Sequence, residues 1–131
     1  MMGAWGSGNL ENDTVLDWVA ELLEIKDLNR ISEAIEMVLD EDDIDADTAS
    51  IGIGAIEILA ALQGNTGKEK YEDELEVWIS EHKGFGHQLL DSARLALKKI
   101  LADSELKELW EESDHYEDWI RAIKELEGRV S

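Results

Sequence analysis

The sequence predicts an all-α fold, a compact single-domain bundle of six or seven short helices spanning residues 1–131. Three observations point there. Apolar residues recur at spacings of three and four almost throughout, the period of an amphipathic helix. Proline is absent, so nothing breaks a helix except glycine, asparagine and polar caps, and no strand pattern is evident. A chain of this length buries about two-thirds of its unfolded surface. Its 44% hydrophobic content is that of a globular domain.

The elements follow in order. Gly3, Trp5, Gly6 and Gly8 open the chain with a large ring among glycines, a combination that favours an ordered segment packed against the fold. Trp5 is expected to fill a gap between helices, with Gly6 and Gly8 as close-approach and turn residues. Asn12 to Thr14 then supply cap candidates for a first helix carrying Val15, Leu16, Trp18, Val19, Leu22, Leu23 and Ile25. Leu28, Ile31, Ile35, Val38 and Leu39 mark a second. The third, residues 48–62 after a cap near Asp45 or Asp47, is apolar nearly all round and is expected to be central and buried.

Gly52 and Gly54 inside it each cost roughly 1 kcal/mol relative to alanine. Such a cost implies a close neighbour there, or a helix that starts only after them. A loop at Gly64 to Gly67 precedes a fourth helix with Leu75, Trp78, Ile79 and His82, stopped at Gly84 to Gly86. Leu89, Leu90, Ala93, Ala96, Leu97, Ile100 and Leu101 give a fifth, with Lys98 and Lys99 near its C-terminal end. Ser104 caps a sixth helix with Leu106, Leu109 and Trp110. Asp114 is expected to cap a seventh with Trp119, Ile120, Ile123 and Leu126.

Charge is the second strong signal. Twelve basic residues against 32 acidic ones leave a net −20, and residues 1–62 hold 2 of the basic and 15 of the acidic side chains. Such a balance disfavours direct binding to nucleic acid or to anionic membranes, both of which need cations. Asp13, Asp17 and Glu21 repeat one sign at helical spacing, and Glu33, Glu36 and Asp40 repeat it on the second helix. These rows repel themselves. They read either as a solvated face or as a surface for a cationic partner. Glu117, Arg121, Glu125 and Arg129 alternate in sign and are expected to stabilise the last helix on its own.

Candidate chemistry is sparse. The acidic loop from Asp40 to Asp47 offers aspartates at calcium-loop positions one, three and five from Asp43. Thr48 stands where that loop needs glycine, and Gly54 where it needs a bidentate glutamate. That leaves weak, nonspecific divalent binding at most. The N-terminal glycines follow no strand and have no nearby cation, so a phosphate cradle is disfavoured. His82, His87 and His115 lack metal-ligand spacing, and the serines lack a nucleophile-elbow context. Cysteine is absent, which excludes disulfides, thiolate metal sites and a cysteine nucleophile. The longest apolar run is too short to span a bilayer, and the start has no basic-then-apolar signal pattern; a cytoplasmic protein is expected.

Met2 to Asn9, followed by Glu11 to Thr14 and the Asp17–Trp18 pair, resembles the start of a family of small, mostly bacterial proteins, the domain-of-unknown-function family 4259. Met1 departs from that pattern. The resemblance implies a compact single domain whose N-terminus is part of the fold, with Trp5, Gly6, Gly8, Asn12 and Trp18 as its structural motif. It implies no catalytic residues.

The functional expectation is a non-enzymatic interaction protein that engages a basic protein partner. An immunity or antitoxin-type protein neutralising a cationic toxin is its most concrete form. Asp13, Asp17, Glu21, Glu36, Asp40, Asp42 and Asp43 are the candidate contact residues, with no cofactor and no metal ligand assigned. The rival is a small metal-dependent or carboxylate/histidine enzyme. It predicts a concave site where a histidine meets two or more acids.

Overall fold

A computed structural model describes residues 13–25, 29–65 and 73–130. The expected packing of Trp5, Gly6 and Gly8 and the Asn12 cap lie outside them, and the Asp13 side chain is likewise not described. The described residues form seven α-helices and no strand: α1 (Asp13–Ile25), α2 (Asn29–Asp40), α3 (Ala46–Leu62), α4 (Asp73–Glu81), α5 (Leu90–Ala102), α6 (Glu105–Glu111) and α7 (Tyr116–Arg129). A 3-10 turn, His87–Leu89, leads into α5. The all-α bundle expected from the sequence is therefore observed.

α3 is the axis. From Gly52 to Leu62 every residue is buried, and α1, α2, α4, α5, α6 and α7 all pack on it. Its start is capped by Asp45, whose carboxylate accepts from the Thr48 amide at 2.7 Å. The helix begins at Ala46 and runs through both internal glycines. A Cβ at Gly52 would lie 2.6 Å from Cγ2 of Val38 on α2, with the Ala34 carbonyl oxygen 3.8 Å away. The close neighbour implied by that glycine is thus a side chain of α2, and the missing methyl is what lets α2 lie flat on α3.

Non-local hydrogen bonds fix the directions of the helices. Thr14 lies 3.5 Å from Asp47 and Arg30 pairs with Glu21 at 2.6 Å, so α1 runs alongside α3 and α2 returns. The Gly84 amide donates to the Leu62 carbonyl at 2.7 Å, which places the end of α4 at the C-terminal end of α3. The Glu105 amide donates to the Ile44 carbonyl at 2.9 Å, which places the start of α6 at its N-terminal end. At Gly86, where φ is +84°, a Cβ would meet Leu59 Cδ1 at 2.7 Å; the turn into α5 requires glycine on both counts.

Local caps come out unevenly. Ser104 caps α6 as expected, accepting from the Lys107 amide at 3.0 Å. The Asp114 cap does not form. His115 occupies the capping position without a side-chain bond, and Ser113 Oγ instead accepts from the His115 amide at 3.0 Å. The start of α7 is placed by aromatic packing: Trp119 stacks between Trp110 and Tyr116, at centroid distances of 6.3 and 6.2 Å. Trp18, Trp78, Trp110 and Trp119 are all core residues.

Candidate functional site

The two ends of α3 treat charge differently. At its C-terminal end Glu57, only 1% exposed, receives both terminal nitrogens of Arg129 at 2.5 and 2.8 Å. Arg129 also donates to Glu125 at 2.7 Å and to the Asn65 carbonyl at 3.3 Å. The Asn65 amide group returns a bond to the Arg129 carbonyl at 3.0 Å. The hydrogen bonds from Glu57 and then Glu125 hold the guanidinium well above its ordinary pKa against the opposing cost of burial. The last residue of the expected α7 charge stripe is therefore also a clamp between α7 and α3.

At the N-terminal end of α3 the α2–α3 loop meets the start of α6. Asp43, Ile44 and Asp45 from one, and Asp103, Ser104, Glu105 and Glu108 from the other, line an open cleft of about 310 Å³. Part of this carboxylate set serves the fold. Asp45 caps α3, and Glu105 accepts from the Ala46 amide at 2.8 Å. Both α3 and α6 point their N-termini here, and the positive ends of their dipoles offset the gathered negative charge. The carboxylates of Asp43, Asp103 and Glu108 enter no hydrogen bond or ion pair among the described residues, Asp103 lying only within electrostatic reach of Lys107. Three uncommitted carboxylates facing a polar cleft are suited to guanidinium or ammonium groups, which a carboxylate binds through charge-assisted hydrogen bonds.

The expected contact residues are dispersed. Asp43 lines the cleft, while Asp40 and Asp42 stand exposed at the end of α2 and in the loop beside it. Asp17 and Glu36 are exposed on the outer faces of α1 and α2, away from the cleft lining. Glu21 is already paired with Arg30, so the row on α1 is not a uniformly free one. Asp103, Glu105 and Glu108 escaped sequence reasoning because they lie about sixty residues from Asp43 and in the less acidic half.

The histidines do not converge. His82 stacks on Trp78 at 4.5 Å, with Nδ1 2.7 Å from the Trp78 carbonyl oxygen, while His87 and His115 are exposed. Among the described residues no group of three or more histidine or acidic side chains is placed to hold a metal ion. No helix among them is long and apolar enough to cross a membrane.

Comparison with curated proteins and with solved structures gave no match. A family model does match, over residues 3–122, and by it the chain belongs to the domain of unknown function DUF4259.

Proposed function

We propose that the protein is a non-enzymatic interaction module whose acidic end, at the N-terminus of α3, receives a basic polypeptide. The observation that supports this reading most is the meeting of Asp43 with Asp103 and Glu108 around one cleft, none of the three carboxylates being held in a hydrogen bond or ion pair among the described residues. Structural acids in this molecule are capped or paired, as Asp45, Glu105 and Glu57 are. Asp40 and Asp42 extend the negative field beside the cleft. Such a field speeds encounter with a cationic surface and sets its register more than it adds raw affinity. An immunity or antitoxin-type role in the cytoplasm, neutralising a basic toxin, is the concrete form of this reading.

The test uses nona-arginine as a probe, with binding followed calorimetrically at rising salt. Asp43→Asn, Asp103→Asn and Glu108→Gln together should weaken binding by about tenfold or more and flatten its salt dependence. A control with the same change in charge on α1 and α2, away from the cleft lining (Glu24→Gln, Glu33→Gln, Glu36→Gln), should retain most of the affinity. Equal losses in the two variants would show a diffuse charge effect and no site at the cleft.

A further inference from the structure

The acidity of the chain is not uniform. Between His82 and Ala102, four basic residues (Lys83, Arg94, Lys98 and Lys99) meet one acid, Asp91, for a net +3 in a molecule of net −20. Two of the four are consumed internally. Lys99 donates to the carbonyls of Val38, Leu39 and Glu41 at 3.1, 2.8 and 2.5 Å, closing the C-terminus of α2. Arg94 donates to the Val130 carbonyl at 2.7 Å and pairs with Asp91. Lys98 is exposed and makes no hydrogen bond or ion pair among the described residues.

The outer face of α5 has a particular order. Asp91, Leu95, Lys98 and Ala102 recur at spacings of four, three and four, so they share one side of the helix, and all four are exposed. Leu95 is 58% exposed, among the most exposed large apolar side chains described. An acid, an apolar centre and a base in this order are complementary to themselves when the helix is turned end for end. An antiparallel copy crossing at Leu95 brings Lys98 of the second copy against Asp91, whose side chain stays 86% exposed while shared with Arg94, and the reverse, with the two leucines at the centre. A two-fold interface demands such self-complementarity.

From this arrangement we infer that the exposed face of α5 is the contact between two copies of the chain, paired antiparallel about Leu95. Charge selects this occupant. Two molecules of net −20 repel across most of their surfaces, whereas on the outer face of α5 one acid and one base balance and meet their opposites in a second copy. The inference is independent of the acidic-end reading, because Asp91, Leu95 and Lys98 do not line the acidic cleft.

Sedimentation equilibrium of the full chain at physiological ionic strength tests it, with far-UV circular dichroism to confirm that each variant is folded. The wild type should approach twice the monomer mass as concentration rises. Leu95→Glu should remain a monomer, and Lys98→Glu should weaken the dimer by roughly tenfold or more. The exchange Asp91→Lys with Lys98→Glu should restore it, since the swapped pair is still complementary across the two-fold axis. A wild type that stays monomeric throughout would overturn the inference, as would a dimer that survives Leu95→Glu. A folded exchange variant that fails to recover the dimer would overturn it as well.

Discussion

The two ends of α3 both gather carboxylates, yet one end uses them up and the other leaves several free. At the C-terminal end Glu57 is removed from water and answered by a bidentate arginine, which in turn donates to Glu125 and is tied to Asn65. At the N-terminal end Asp45 and Glu105 serve helix amides, while the carboxylates of Asp43, Asp103 and Glu108 face solvent outside any hydrogen bond or ion pair among the described residues. A buried charge survives only when paired, and an exposed one is free to stay unpaired because water solvates it. Pairing therefore separates the acids that hold the fold from those available to another molecule.

The largest expected effect lies at the paired end. Arg129→Met takes the bidentate partner from buried Glu57, and should cost about 3–5 kcal/mol in urea unfolding. Replacing both residues, Glu57→Leu with Arg129→Leu, should recover most of that loss, because well-packed apolar groups substitute for a buried pair at little cost. A double variant as unstable as Arg129→Met would mean that α7 depends on the arginine for more than charge. The guanidinium is held above its ordinary pKa, so its contribution is fully present at every pH below that ordinary value and is lost only as the pH rises toward the raised folded one. Deprotonation of Arg129 should accordingly take nothing from stability between pH 7 and 10.

Next comes the junction between the ends. Gly52→Ala drives a methyl into Val38 and should cost about 1–3 kcal/mol by overpacking. Adding Val38→Ala should make the double loss smaller than the sum of the two single losses, which unfolding of the three variants measures directly. Ser104→Ala removes the cap of α6 and should cost about 1 kcal/mol. It also probes whether the cleft wall is rigid: affinity for nona-arginine should fall together with stability if the position of α6 shapes the cleft.

What could be read from the sequence follows the range of each interaction. Amphipathic periods placed the helices and their buried faces, and Asp45 and Ser104 were recognisable as caps because a cap acts within three residues. Glu57 carried a signal in being the lone charge of the apolar stretch 48–62, which demands a partner; nothing local named Arg129, 72 residues away. Lys99 was placed by its position near the end of α5, but the carbonyls it closes belong to α2. The acidic cleft was half visible. Asp43 stood out in a dense run, while Asp103 and Glu108 were spread among lysines and became part of one site only when α6 folded against the loop. Asp114 shows the converse: a good local cap lost to the stacking of Tyr116 and Trp119.

The smallest expected effect tests the central claim most directly. The urea unfolding free energy of the Asp43→Asn, Asp103→Asn, Glu108→Gln variant is measured beside wild type at low salt. If these acids are held for a partner and not for the fold, the variant should stay within about 1 kcal/mol of wild type, because the repulsion removed among the three charges is set against the helix-dipole attraction lost. A loss of more than about 1 kcal/mol would mean that the carboxylates hold α6 against the α2–α3 loop, and would contradict the division between the two ends of α3.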